Sequence, residues 1–293
     1  MKRAGFTNPW LPICLLIPQL TIIVFFFYWP AGYAIQSSFF LQDPFGFGST
    51  FVGLDNYTDL ANTPEYLKVA RFTVIYTVLV TFFSLAIALL LAVKADKVIR
   101  GAKTYRTLLM WVYAVAPPVA GFIGIFFFSQ STGIFTDLFN AFGWDYKLGV
   151  NYNDTATAMV VVAVWKQVPV NFIFFLSGLQ SIPRSVREAA LIDNKSGTGR
   201  FWDITFPLLA PTAFFLLIIN ITYALFDTFG VIDQLVRSEP GNNPMTLVYK
   251  VFVDGFRGND LGGSSAQSVI LMILVLALTI FQFRLLERKI HYT

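Results

Sequence analysis

The sequence predicts an all-α polytopic membrane protein with six transmembrane helices and both termini in the cytoplasm. Three observations carry this. Only 13% of the 293 residues are charged while 56% are hydrophobic, with a mean hydropathy of +0.63; an ordinary soluble domain is about 25% charged. The apolar residues gather into six stretches, each near or above the roughly 20 residues that cross a bilayer core. The basic residues collect on one side of those stretches, as they do on the cytoplasmic side of membrane proteins. A soluble globule, a disordered chain and a collagen-like chain are excluded.

Taken in order, the spans are expected near 11–35, 72–93, 107–129, 157–180, 204–226 and 263–284. The first lies in an uncharged run from Ala4 to Gln42, 39 residues long. Lys2 and Arg3 before an apolar run also suit a signal peptide, with Gly32-Tyr33-Ala34 as a cleavage site, but this run is too long, so the segment is expected to be retained. Trp10 and Trp29 suit interfacial anchors. In the third span Pro117 and Pro118 remove two amide donors and clash with the preceding turn, which predicts a kink and freed carbonyls. The fourth carries one charge, Lys166. The outer segments, 36–71, 130–156 and 227–260, read as short helices and turns; Gly46, Gly48 and Gly53 punctuate the first, and Pro240 to Pro244 the third.

Orientation follows from counting. With the N-terminus inside, the inner segments hold 14 Lys and Arg against 5 acids, and the outer segments 6 against 12. The net charge of +4 is therefore an orientation signal, not a nucleic-acid footprint. Cys14 is the single cysteine and His291 the single histidine, which excludes an internal disulfide and a Cys/His metal centre. The sequence contains no G-x-x-x-x-G-K-[ST] phosphate loop, so ATP is not bound by that route.

The most informative stretch is the cytoplasmic segment between the fourth and fifth spans. Pro183 suits the first turn of a helix, and Val186, Ala189, Ala190 and Ile192 fall on one face at helical spacing. Asn194 to Gly199 is expected to break that helix, and Phe201-Trp202 to begin a second one leading to Pro207. A surface helix with a small-residue apolar face suits docking into a groove on another protein. It equally suits a loop that caps two spans, with Ser185 and Glu188 forming a capping box.

Glu188-Ala189-Ala190-x-x-Asp193, followed by Phe201-x-x-Ile204-x-x-Pro207-x-x-x-Pro211, resembles the EAA loop of the permease subunits of binding-protein-dependent ABC importers. The resemblance implies a single permease domain over 1–293 with the type I ABC importer permease fold. It also implies a coupling loop over 181–207 that sits in a cleft of an ATPase subunit. The coupling residues it implies are Glu188, Ala189, Ala190, Asp193, Asn194 and Lys195. The family usually has Gly then Ala after the Asp, where this chain has Asn194 and Lys195; Asn tolerates the left-handed backbone that Gly supplies.

The same resemblance implies a non-catalytic subunit of the bacterial inner membrane with no cofactor of its own. Its expected partners are a second permease subunit, two identical ATPase subunits carrying ATP and Mg, and a periplasmic solute-binding protein. Residues Asp43–Gly48, Phe51–Tyr57, Tyr113–Ala120, Leu179–Ser185, Phe226–Asp233, Thr246–Val251 and Ser264–Val269 look like the UgpA-type branch, which serves sn-glycerol-3-phosphate importers. Some of these words also occur in sister permeases for sugars, so a neutral sugar or oligosaccharide stays open, as do glycerophosphodiesters.

Polar residues inside spans are the candidates for a translocation pathway, because each is costly in hydrocarbon. Lys166 suits either attraction of an anion or pairing with a neighbouring subunit. Gln167 and Asn171 lie four apart on one helix face, and Asn220, Tyr223 and Asp227 form a second stripe; interhelical hydrogen bonding is the competing explanation. A self-sufficient secondary transporter would need intramembrane acid or histidine relays. A membrane enzyme would need a clustered His, Cys, Asp or Glu site. The spans offer neither.

Overall fold

A computed structural model describes residues 10–43, 48–96, 102–192, 196–237 and 243–289. The helices in chain order are α1 (Trp10–Ile23), α2 (Trp29–Ser37), α3 (Asp55–Asn62), α4 (Pro64–Asp96), α5 (Ala102–Ala114), α6 (Pro117–Phe128) and α7 (Ile134–Ala141). They continue with α8 (Tyr152–Ser181), α9 (Arg184–Ile192), α10 (Gly197–Arg200), α11 (Phe206–Thr222), α12 (Phe229–Arg237), α13 (Leu247–Phe252) and α14 (Leu261–Lys289). Single π turns at Val24–Tyr28, Phe201–Thr205, Tyr223–Asp227 and Val253–Arg257 interrupt the α geometry.

Among the described residues, five helical runs are long and apolar enough to cross a membrane: Pro12–Ser37, Pro64–Asp96, Tyr152–Ser181, Gly197–Arg237 and Leu261–Arg284. The sixth is a bent pair, Arg106–Ala114 and Pro117–Phe128, turned through 103°. The expected kink is thus a full change of direction. Two prolines in succession remove two ladder bonds, and Ala116 sits in extended backbone at φ −62° and ψ 144°, the conformation forced on a residue before proline.

The chain packs as two compact units, the first being residues 1–67 with 251–278 and the second 68–250 with 279–293. In the first, a short hairpin that the reading of turns and helices did not anticipate pairs β1 (Phe40–Gln42) antiparallel with β2 (Ser49–Phe51). Phe40 lies opposite Phe51, their rings edge to face at 5.4 Å, a stabilising cross-strand pair. Asn56 Nδ2 donates to the carbonyls of Ser38 (2.8 Å) and Phe40 (3.2 Å), and Tyr57 Oη donates to Ser38 Oγ (2.7 Å). Gly53 turns the chain at φ +61°, where a Cβ would be strained. The Phe51–Tyr57 word is the fastening of this hairpin. Asp260 accepts from Gly263 N at 2.8 Å at the start of α14, and Gln267 Nε2 donates to Asp254 Oδ2 at 2.6 Å.

In the second unit, glycines bring helices close. A Cβ on Gly121 of α6 would lie 2.8 Å from the Val231 carbonyl of α12, and one on Gly124 2.7 Å from Val162 Cγ2 of α8. Gly230 faces Pro117 and Pro118 in the same way. Small residues permit such close backbone approach in membranes. The broken span is therefore held in place by α12 and α8.

Candidate functional site

The described parts of the cytoplasmic segment are α9 and then α10, which runs through a π turn into α11. The second helix starts earlier than expected. Ser196 caps it by accepting from Gly199 N at 3.1 Å, so Gly197 and Gly199 sit inside helix; a side-chain cap satisfies one of the unpaired first-turn donors. The apolar residues of α9 divide. Val186 and Ala190 turn inward onto a cavity of about 200 Å3, lined also by Leu191, Arg200 and Ile204. Ala189 is exposed, and Ile192 is 83% exposed. Four expected neighbours on one face are thus two pairs on two faces, because 100° per residue separates Ala189 from Ala190.

Glu188 makes no capping box. Its carboxylate accepts from Arg184 Nε at 2.9 Å on the exposed side of α9. Asp193, Asn194 and Lys195 lie outside the described residues. Arg187, which sequence reasoning counted only as an inside charge, makes the more consequential contacts. Its Nη1 donates to Asp96 Oδ2 at 3.2 Å, and its Nη2 donates to the carbonyl of Leu179. The partners are the last described residue of α4 and a residue in the last turn of α8. No local pattern signals a pairing across 91 residues.

Within the spans the structure brings Asn171 and Asn220 together. Each amide donates to the other's oxygen, at 2.9 and 2.7 Å. Ser84 Oγ on α4 donates to Asn220 Oδ1 at 2.7 Å, and Asn220 Nδ2 also donates to the Leu216 carbonyl. Asn171, Asn220 and Ser84 are all fully buried. This knot ties α4, α8 and α11 with its polar groups satisfied, as a dry interior requires. Ser84 was missed, since a lone serine in an apolar helix is unremarkable by composition. Tyr223 Oη donates to the Ala163 carbonyl at 3.1 Å, linking the π turn that follows α11 to α8. Gln167 is buried and Asp227 exposed.

Lys166 is buried, and its ammonium donates to the carbonyl of Val115 at 2.7 Å, with the Tyr113 ring centroid 5.8 Å away. That carbonyl lies at the Pro117–Pro118 break. Two separate expectations, an intramembrane cation and freed carbonyls, meet in one contact. A cation at a helix C-terminus also complements the helix dipole. Among the described residues no group of His, Cys, Asp and Glu is arranged to hold a metal ion.

At the outer end Asp154 opens α8. It is 2% exposed and accepts from Trp144 Nε1 (3.0 Å), Lys147 N (2.8 Å) and Asn151 Nδ2 (2.9 Å). Tyr146 Oη donates to the Asp154 carbonyl at 2.8 Å. Burial, and then the Asp154 carboxylate, push the Tyr146 phenol well above its ordinary range.

Residues 85–292 match the family described as binding-protein-dependent transport system inner membrane component. A protein of Brucella abortus biovar 1 (strain 9-941) is 50% identical over 295 residues, covering 100% of both chains, and is named sn-glycerol-3-phosphate transport system permease protein UgpA. Proteins of the same name from Rhizobium meliloti (strain 1021) and Salmonella typhi are 49% and 46% identical, over 100% and 99% of both chains. Among solved structures, a chain of a bacterial ABC transporter involved in the import of the acidic polysaccharide alginate superposes with a TM-score of 0.78 at 18% identity, over 96% of each chain. That likeness concerns the fold. Family match and full-length relatives together place the chain: it belongs to the inner-membrane components of binding-protein-dependent transport systems.

Proposed function

We propose that this chain is one of two permease subunits of an ATP-driven importer that moves sn-glycerol-3-phosphate across the bacterial inner membrane by alternating access. Residues 1–293 serve as one permease domain. Two identical ATPase subunits hold ATP and Mg, and a periplasmic binding protein delivers the solute. The observation that carries the coupling reading is α9, whose Glu188, Ala189 and Ile192 face outward while Val186 and Ala190 pack inward. Exposed apolar and charged groups on one short, anchored helix suit insertion into a partner's groove. Glu188, Ala189, Ala190, Asp193, Asn194 and Lys195 form that coupling segment.

The substrate reading is supported by relatives of that name, 46–50% identical over nearly their whole length. Gln167, Asn171, Asn220, Tyr223 and Asp227 are the proposed pathway stripe of α8 and α11, opened when the buried knot parts. Lys166, bonded to Val115, holds the broken span beside it.

The test is reconstitution of the complete transporter in lipid vesicles. Binding protein loaded with sn-glycerol-3-phosphate should stimulate ATP hydrolysis and uptake, and binding protein offered neutral sugars should not. Stimulation by a neutral sugar instead overturns the substrate and leaves the importer.

A further inference from the structure

We propose that Arg187 is a positioning residue that fastens the cytoplasmic helix α9 to the ends of two spans, so that α4 and α8 follow its displacement together. The inference rests on the coupling reading of α9. Its basis is a three-way contact. The Arg187 guanidinium donates to the Asp96 carboxylate and to the Leu179 carbonyl. Asp96 is the last described residue of α4, and Leu179 lies in the last turn of α8. The Leu179 carbonyl accepts from Ile182 N at 3.3 Å, and its second lone pair is open to an added donor. A partly sheltered carboxylate is stabilised by a paired cation, and Asp96, at the end of the described part of α4, has one in Arg187.

A planar guanidinium presents a rigid, pre-organised fork of donors that serves the Asp96 carboxylate and the Leu179 carbonyl from one side chain, where a lysine ammonium is a flexible point charge. The site is partly sheltered. The Asp96 side chain is 19% exposed and that of Arg187 40%, against 60% for Glu188 and 91% for Arg184 in the outward pair. Water and salt screen the sheltered contact less.

The same two spans are tied again deeper in the bundle. Ser84 lies on α4 and Asn171 on α8, and both bond Asn220 of α11. Along α4, Ser84 and Asp96 are separated by about 18 Å at the helical rise of 1.5 Å per residue. Two fastenings that far apart resist shear between α4 and α8. A pull on α9 is then delivered to the buried knot as movement of a pair of helices, not as bending of a loop.

The experiment uses the complete transporter in lipid vesicles and measures radiolabelled sn-glycerol-3-phosphate imported per ATP hydrolysed. Arg187→Met, Asp96→Asn and the double variant are each compared with wild type, and Arg187→Lys is the conservative variant. The expected result is a loaded-binding-protein-stimulated ATPase close to wild type with import per ATP reduced about tenfold in both single variants, the range of typical coupling energies. The double variant should be no worse than either single one, and Arg187→Lys should recover part of the ratio through Asp96 alone. A wild-type ratio in Asp96→Asn, which preserves shape even where Arg187→Met fails to assemble, overturns the proposal. So does simple additivity of the two changes. Glu188→Lys is run alongside; undiminished uptake in that variant sinks the coupling reading itself, and the role of Arg187 with it.

Discussion

The two ends of α8 are finished in opposite ways. At the outer end Asp154 gathers three donors from its own chain and is sealed at 2% exposure. At the cytoplasmic end α9 leaves Ile192 83% exposed and its Glu188 bonded to a solvent-facing arginine. A buried carboxylate must be surrounded by donors, because removing it from water without them is prohibitive. The exposed apolar residue on the charged surface helix α9 has no such closure among the described residues. The outer end is complete by itself, whereas the described part of the inner end leaves apolar surface open. Only Arg187 among the described α9 side chains reaches back to the ends of α4 and α8.

The sharpest way to break this comparison is at the open end. Glu188→Lys should abolish uptake while leaving membrane insertion intact, measured as transport against the amount of inserted subunit. Retained transport would mean that the open end is merely unfinished surface. The closed end should fail differently. Asp154→Ala orphans three donors and should cost about 2–4 kcal/mol of stability, read as a lower unfolding midpoint of the complex in detergent. Transport per folded complex should be unchanged; a selective transport defect would give the outer end a functional role.

Between the ends, Lys166→Met strands the Val115 carbonyl at the break and should cost about 1–3 kcal/mol. Uptake of anionic and neutral solutes should fall equally. A loss confined to the anion would instead make Lys166 a pathway residue. The smallest effect is expected at Tyr146. Its phenol titrates higher folded than unfolded, so its contribution is full below the unfolded value of about pH 10 and is lost as pH rises toward the folded value. Tyr146→Phe should cost about 1 kcal/mol at neutral pH and flatten the loss of stability above pH ~10. An alkaline limb as steep as that of wild type would show that another group controls it.

Much of the fold was legible because the bilayer imposes a one-dimensional rule. Apolar runs of sufficient length, such as the 39 residues after Arg3, announce spans without any partner being known. The resemblance that motivates the proposed coupling segment was legible because its residues lie within 24 positions of one another, from Glu188 to Pro211. The hairpin was missed because its strands are three residues each, too short for alternation to register. The division of α9 into an inward and an outward face was missed for a related reason. Val186, Ala189, Ala190 and Ile192 are all apolar, and periodicity alone does not say which neighbour each will meet.

The sequence by itself determined that this chain crosses a membrane, which side is inside, and which cytoplasmic segment resembles the family's coupling loop. Those properties follow from hydropathy, charge placement and short-range order, which the solvent reads residue by residue. Only the tertiary structure decided what the buried polar groups do. Lys166 bonds a carbonyl 51 residues away, Asn171 an amide 49 away and Arg187 a carboxylate 91 away. A polar group in an apolar interior must find a partner wherever the fold supplies one, and packing, not spacing along the chain, selects which.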